Sequence, residues 1–288
     1  KQNNLVFLIC ENKIGSIISY TSLINNKFPV CLIDANISNE DFIKLLSLYE
    51  PKYIICNNQK KIKLSKFRLN KILDLYNFNI FENKNSKKFN ISKKILLLLS
   101  TSGSLNEPKF VKLSKKNLES NTKGIIKYLH INSSDVTITT MPMHYSYGLS
   151  VINSHLYSGG KIILTEEGLF SKKFYKIIEK EKITNFNGVP FIYEILLRIG
   201  FEKIILKSLR FITQAGGSLS KDKVVKIYGM LKNKNISFYL MYGQTEASPR
   251  ISYLIVNDRE LIKENLPVGR PVIGGKLYLS KKKEIIFM

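Results

Sequence analysis

The stretch LVFLICENKIGSIISYTSLINNKFPVCLIDANISNEDFIKLLSLYEPKYIIC, residues 5–56, sets the fold class. Three short apolar runs, at 5–10, 30–34 and 53–56, alternate with two longer segments, 13–26 and 39–49. The short runs read as strands and the longer ones as helices. Pro29 leads into the second strand, and Asn39 is placed to cap the second helix. The order β-α-β-α-β predicts a parallel sheet with helices on its faces. No G-x-G-x-x-G occurs here, so nothing points to a dinucleotide fingerprint.

Beyond residue 56 the pattern fades and returns. Residues 57–94 are rich in Asn and Lys with weak periodicity, which predicts a surface connection with short elements. Then comes ILLLLSTSGSLNEPK, residues 95–109: five apolar residues followed by Ser100, Thr101, Ser102, Gly103 and Ser104, with Pro108 and Lys109 closing the turn. The apolar run reads as a strand buried on both faces. The loop offers hydroxyls, backbone N–H groups and an ammonium, a set that suits a small anion such as phosphate; an ordinary polar turn fits the same residues. A helix over 115–129 is expected to bury Leu118, Ile125, Ile126 and Leu129. Strands are expected at 136–140, 161–164, 184–187, 209–213 and 236–241. Helices are expected through 151–157 and over 171–182 and 220–232, and Pro190 suits the first position of another. Residues 272–288 read as β-structure around Gly274 and Gly275. The predicted class is α/β: parallel-rich sheets flanked by helices in repeated βαβ units, with a short β-rich C-terminal segment. Polar residues fall repeatedly just after strands, where such sheets bind ligands.

Composition removes several function classes. The 288 residues allow one large domain or two subdomains. No apolar run approaches the roughly 18 residues that span a bilayer, and the opening KQNNLVFLIC does not have a signal-peptide layout. A cytoplasmic protein without a membrane span is expected. Cys10, Cys31 and Cys56 lie in strand-like segments without C-x-x-C spacing, as buried reduced thiols do. The net charge of +23 raises nucleic-acid binding. Its sharpest clusters, at Lys60 and Lys61, Lys87 and Lys88, and Lys281 to Lys283, are short, however, and no zinc-finger or RNP-like motif accompanies them. The charge reads mainly as a solvated lysine surface.

Four post-strand segments carry a resemblance. Thr101, Ser102, Gly103 and Ser104 with Pro108 and Lys109 form one; the second, residues 141–148, reads MPMHYSYG. The third, residues 214–220, reads QAGGSLS, and residues 242–246 read YGQTE. A further Gly269-Arg270-Pro271 lies downstream. Together, in this order, they resemble the core motifs of the AMP-forming adenylating enzymes, the superfamily of acyl- and aryl-CoA ligases and peptide-synthetase adenylation domains. The likeness runs from about residue 5 to 279. The chain departs from the family pattern where Leu105 and Asn106 replace Thr-Gly.

The resemblance implies ATP-dependent activation of a carboxylic acid to an acyl-adenylate, with Mg²⁺ on the phosphates and transfer to CoA or a carrier thiol afterwards. Thr101, Ser102, Gly103, Ser104 and Lys109 would hold the phosphates. Gly216, Gly217, Tyr242, Gly243, Gln244 and Thr245 would complete the nucleotide site, with Thr245 near the α-phosphate. Glu246 would hold the metal, since magnesium prefers carboxylate and phosphate oxygens; a surface Glu capping a helix is the plainer alternative. His144 would orient the carboxylate or gate its pocket, or else serve as a structural histidine. His144, Tyr147, Asn187, Val189, Ala215 and Gly216 are the expected acid-binding residues, with Pro190 and Phe191 nearby. No carboxylate lies in the stretch from His144 to Tyr147 where an amino-acid substrate would need one, so a fatty, aryl or other non-amino acid is expected. Family members continue through a hinge into a small C-terminal domain. The resemblance therefore implies that residues 1–288 are a partial N-terminal adenylation domain, with subdomains near 1–90 and 91–288 and without that lid. An acyl carrier protein would be a partner. Two other readings remain at this level: a non-catalytic homologue serving as a binding or partner module, and a basic nucleic-acid-binding protein.

Overall fold

A computed structural model describes residues 4–59, 69–84, 86, 91–100 and 109–288. The expected phosphate loop, Thr101 to Ser104, and the departure at Leu105 and Asn106 lie outside the described residues. Two compact units divide the chain: Lys1–Leu118 with Pro142–Ser146, and Glu119–Met141 with Tyr147–Met288.

The first unit opens with the expected alternation: β1 (Val6–Cys10), α1 (Ile14–Asn25), β2 (Val30–Asp34), α2 (Asn39–Tyr49) and β3 (Tyr53–Asn57). β1 lies between β2 and β3 and is parallel to both. All five β1 residues are buried, as the apolar run requires. The cap of α2 is Ser38 rather than Asn39: its hydroxyl accepts from the Asp41 N–H at 3.0 Å. Residues 69–83 form an antiparallel hairpin, β4 (Leu69–Leu75) and β5 (Phe78–Asn83), where a surface connection was expected. β5 pairs with β3, so the hairpin extends the sheet. β6 (Ile95–Ser100) pairs in parallel with β2, and β7 (Phe110–Ser114) runs back along β6. The seven strands are ordered β4-β5-β3-β1-β2-β6-β7. Because β6 and β7 belong to this sheet, the first unit extends well past the expected division at residue 90. Phe7, fully buried, is flanked by Phe42 and Tyr49 with ring centroids 6.4 and 6.2 Å away. Cys10, Cys31 and Cys56 are buried free thiols.

α3 (Lys115–Leu129) matches its expected span. Leu118, Ile125 and Leu129 are buried with Tyr128, while Ile126 is only half-buried. The second sheet follows from β8 (Val136–Ile138), α4 (Ser146–Ser158), β9 (Lys161–Ile163), α5 (Lys172–Glu181) and β10 (Asn185–Gly188). It continues with α6 (Pro190–Ile199), β11 (Phe211–Gln214), α7 (Lys221–Leu231), β12 (Ser237–Tyr242) and β13 (Ser252–Ile255). α8 (Asp258–Ile262) and β14 (Arg270–Pro271) complete this part, and β15 (Leu277–Leu279) with β16 (Ile285–Phe287) forms a small antiparallel pair. The sheet order is β14-β13-β12-β11-β10-β8-β9; the strands from β12 to β9 are parallel, and β13 and β14 are antiparallel additions. Pro190 opens α6 as expected.

Asp135 ties the other end of this sheet together. Its buried carboxylate receives hydrogen bonds from Arg210, the Thr184 hydroxyl and the Asn132 N–H. Burial alone would raise its pKa, but the Arg210, Thr184 and Asn132 donors outweigh that and hold it below its ordinary value. A depressed carboxyl contributes stability above the unfolded pKa, and that contribution is lost as pH falls through the folded one. Asp135→Asn is therefore expected to lower unfolding free energy at pH 7 by roughly 2–3 kcal/mol. Denaturant titrations across pH should show the difference from wild type shrinking below about pH 4.

Candidate functional site

The parallel strands of the second unit end in step. Gly188 on β10 faces Gln214 on β11, which in turn faces Leu240 on β12. The segments that follow, Val189, residues 215–217 and residues 242–246, therefore emerge side by side at the carboxyl edge of the sheet. Such an edge leaves backbone N–H groups and short loops open to a ligand.

Only glycine suits the middle loop. Gly216 and Gly217 have φ of +79° and +157°, outside the range that side chains tolerate. A Cβ on Gly217 would stand 3.1 Å from Pro190 Cγ, which places the loop directly against the start of α6. The Gln214 amide donates to the Gly217 carbonyl at 2.8 Å and fixes the turn. Both glycines are exposed, whereas Ala215 is buried and its N–H donates to the Gly188 carbonyl. Ala215 thus continues the sheet, and the glycine backbone forms the open surface.

The third loop is equally constrained. β12 ends at Tyr242, which is 39% exposed. A Cβ on Gly243 would overlap the Pro249 carbonyl oxygen, so the chain folds back on itself at that point. Thr245–Ala247 forms a single 3₁₀ turn, with the Ala247 N–H on the Gln244 carbonyl at 2.9 Å. From α3, the buried Asn121 amide donates to the carbonyls of Ala247 and Arg250 at 3.2 and 2.9 Å, holding both ends of the turn. Gln244 and Glu246 point outward, and Glu246 makes no ion pair among the described residues. An outward carboxylate at a strand edge, on a clamped turn, can share a divalent cation with the phosphates of a ligand.

A model of the AMP-binding enzyme family matches residues 1–284. The chain belongs to the AMP-binding enzyme family. A curated relative, oxalate–CoA ligase of Arabidopsis thaliana, is 24% identical over 99% of this chain and 59% of its own length. The putative acyl-CoA synthetase YngI of Bacillus subtilis is 30% identical over 55% of this chain and 29% of that protein. The chain thus spans little more than half of the first and less than a third of the second. Among solved structures, o-succinylbenzoate CoA synthetase from Bacillus subtilis with its acyl-adenylate superposes with a TM-score of 0.77 at 15% identity, covering 99% of this chain and 73% of that one. The N-terminal domain of FACL13 from Mycobacterium tuberculosis gives 0.77 at 15% identity, with 99% and 73% covered. The α/β architecture is that of this fold.

Among the described residues of this AMP-binding chain, two of the expected site residues lie in the first unit. Lys109 is exposed just before β7. His144 is largely buried; its Nε2 lies 3.7 Å from Asp34 Oδ2 at the end of β2, and its Nδ1 has no hydrogen-bond partner among the described residues. Burial lowers the His144 pKa below 6.5, against the opposing pull of Asp34. At neutral pH the ring is uncharged, with one nitrogen able to donate and the other to accept. With three histidines in the chain, ring resonances are assignable by NMR. His144 is expected to titrate below about 6.5, and Asp34→Asn should lower it further by removing the charge that favours imidazolium.

Three of the expected acid-binding residues, Ala215, Asn187 and Tyr147, are interior. Asn187 is buried, its amide donating to Thr137 Oγ1 at 3.1 Å and Asn185 Oδ1 at 2.9 Å, and its Oδ1 accepting from Thr213 Oγ1 at 2.6 Å. The Asn187 side chain is thus consumed by the fold. Tyr147 is buried in the first turn of α4, with its hydroxyl on the carbonyl and hydroxyl of Thr213. Val189 caps α6, and Phe191 is 67% exposed. His155 belongs to the same interior network: its Nδ1 donates to the Val151 carbonyl and its Nε2 accepts from the Asn185 amide.

Sequence reasoning passed over Asp34, Asn121 and Arg250. Asp34 looked like an ordinary strand-end acid and Asn121 like a polar helix residue. Arg250 did carry a signal, because only six of the 45 basic residues are arginine.

Proposed function

We propose that this chain is the nucleotide- and acid-binding body of an AMP-forming acid–thiol ligase. The observation that carries this reading is the pairing of the Gly216-Gly217 loop with the clamped turn of residues 242–246 on neighbouring, in-register strands. Relatives such as oxalate–CoA ligase and a feruloyl-CoA synthase from Amycolatopsis support the same chemistry.

In this reading ATP lies along the carboxyl edge of the second sheet, its adenine between the glycine backbone and Tyr242. Thr101, Ser102, Gly103, Ser104 and Lys109 take the β- and γ-phosphates, and Thr245 donates to the α-phosphate. Glu246 fits a Mg²⁺ site, since that ion takes one or two carboxylates and completes its shell with phosphate and water. When bound, it supplies charge neutralisation on the phosphates. Neutral His144 orients the acid's carboxylate. A carboxylate oxygen attacks the α-phosphorus, the bond to the bridging oxygen of the β-phosphate breaks, and pyrophosphate leaves with that electron pair. No protein nucleophile and no net proton transfer are needed, so positioning and electrostatics do the catalysis. The acid is a non-amino acid, and CoA or a carrier-protein thiol then takes the acyl group.

No helix among the described residues is long and apolar enough to cross a membrane. We place the enzyme in the cytoplasm, where ATP and CoA are available. The deciding measurement is acid-dependent exchange of labelled pyrophosphate into ATP by the full-length protein with Mg²⁺. Exchange with at least one acid is the expected result. Failure across a broad panel would replace this reading with that of a non-catalytic binding module.

A further inference from the structure

Arg250 is the one strongly charged side chain of the second unit whose burial the fold does not explain. It is 2% exposed. The other buried charge of that unit, Asp135, has Arg210 beside it. No carboxylate among the described residues pairs with Arg250, and its Nε has no hydrogen-bond partner there. Its contacts are hydroxyls and a ring. Nη2 donates to Ser150 Oγ at 3.3 Å, the guanidinium reaches the Tyr128 hydroxyl, and the Tyr147 ring centroid lies 4.8 Å from Cζ.

These contacts do not balance a guanidinium. Arginine cannot lose its proton on burial, as a lysine can. Withdrawing such a charge from water is costly. A ring beneath it and two hydroxyls return only part of that cost. The Nε–H has no acceptor among the described residues, and this arginine stands in a chain whose basic residues are mostly lysine. A buried cation without a carboxylate among the described residues calls for an anion from outside the protein.

Its position says which anion. Arg250 lies on the same clamped segment as Thr245 and Glu246, its backbone carbonyl held by Asn121. The ring beneath it belongs to Tyr147, whose hydroxyl is anchored on Thr213, one strand position before Gln214 and the Gly216-Gly217 loop. The guanidinium therefore stands beside the elements that flank the acid in the proposed reaction, a few residues from the turn that takes the phosphates.

We infer that Arg250 recognises a second anionic group on the acid, so that the substrate class is a dicarboxylic acid activated at one end. The inference rests on the adenylation reading. In it, one carboxylate reacts at the α-phosphate while the other pairs with the Arg250 fork, the bidentate geometry that distinguishes arginine from lysine. Ser150 and Tyr147 fix the plane of that fork: the Ser150 hydroxyl donates to the Tyr147 carbonyl at 2.7 Å while accepting from Nη2.

The test is pyrophosphate exchange by the full-length protein with matched acids that differ only in the second carboxylate: malonate, succinate, adipate and phthalate against propionate, butyrate, hexanoate and benzoate. In at least one pair the dicarboxylate should exceed its monocarboxylate partner by about tenfold or more, the scale of a charge-assisted hydrogen bond. Arg250→Met should collapse that ratio towards one, and Arg250→Lys, which keeps the charge and loses the fork, should leave an intermediate ratio. Because an apolar residue replaces an unpaired buried charge, Arg250→Met should unfold at the wild-type temperature or above it. Monocarboxylates favoured in every pair, a ratio unchanged by Arg250→Met, or a marked drop in its unfolding temperature would each overturn the assignment and leave Arg250 as a structural residue. Absence of exchange with every acid would overturn the adenylation reading itself, and this inference with it.

Discussion

Glu246→Gln is expected to lower acid-dependent pyrophosphate exchange by about 100-fold or more while leaving the unfolding temperature essentially unchanged. The two halves of this result have separate causes. The side chain points outward from the 3₁₀ turn and makes no ion pair among the described residues, so its removal disturbs no packing. Gln keeps the shape and an oxygen but not the charge that a hard divalent cation requires. Raising Mg²⁺ should recover part of the lost rate, because the variant weakens binding of the ion rather than abolishing the other phosphate contacts. An unchanged exchange rate would return Glu246 to the status of a surface acid beside a turn.

Asn187→Leu should behave in the opposite way. The substitution keeps roughly the same volume but takes away the amide that donates to Thr137 Oγ1 and Asn185 Oδ1, and one of the two partners of the Thr213 hydroxyl, which keeps Tyr147. Each unsatisfied buried group costs about 1–3 kcal/mol, so a total loss near 3–5 kcal/mol is expected. Denaturant unfolding should register that loss directly. Whatever folded protein remains should keep its ranking among acids, since the Asn187 amide is turned into the sheet. A changed ranking with full stability would mean that Asn187 contacts substrate after all.

The contrast between these residues explains what was legible in the sequence. The core of the first unit was, because β1, β2 and β3 are apolar up to the Asp34 and Asn57 that end β2 and β3, and the helices between them are of ordinary length. The hairpin of β4 and β5 was not: Ile72, Leu73 and Leu75 are about half exposed on β4, so no alternation marks it. Its turn at Tyr76 and Asn77 takes two positive φ values without a glycine to announce them. The pairing of β6 with β2 was not legible for a related reason, since nothing local in the sequence announces it. At the candidate site, the placement of the glycines and of the Thr245-Glu246 turn after their strands was readable because it is set by local sequence. Asn187 was misleading because an Asn near a strand end looks the same whether it faces a ligand or a neighbouring strand. Arg250 was hidden because its burial without a paired carboxylate among the described residues can be seen only in three dimensions.

The Asn121 clamp also bears on how the protein comes to be made. Its two hydrogen bonds join residues 126 and 129 positions apart in the chain. Contacts of such long separation form late, because the loop they close must first surrender its freedom. During synthesis α3 must wait for β8, β10, β11 and β12 to emerge before its amide finds the turn it holds. The carboxyl edge of the second sheet is thus assembled near the end of folding, after the first sheet has had time to form. On the proposed reading the chain has no nucleotide to steady it until then, and ATP would act as a late stabiliser of the finished fold rather than as a template for it.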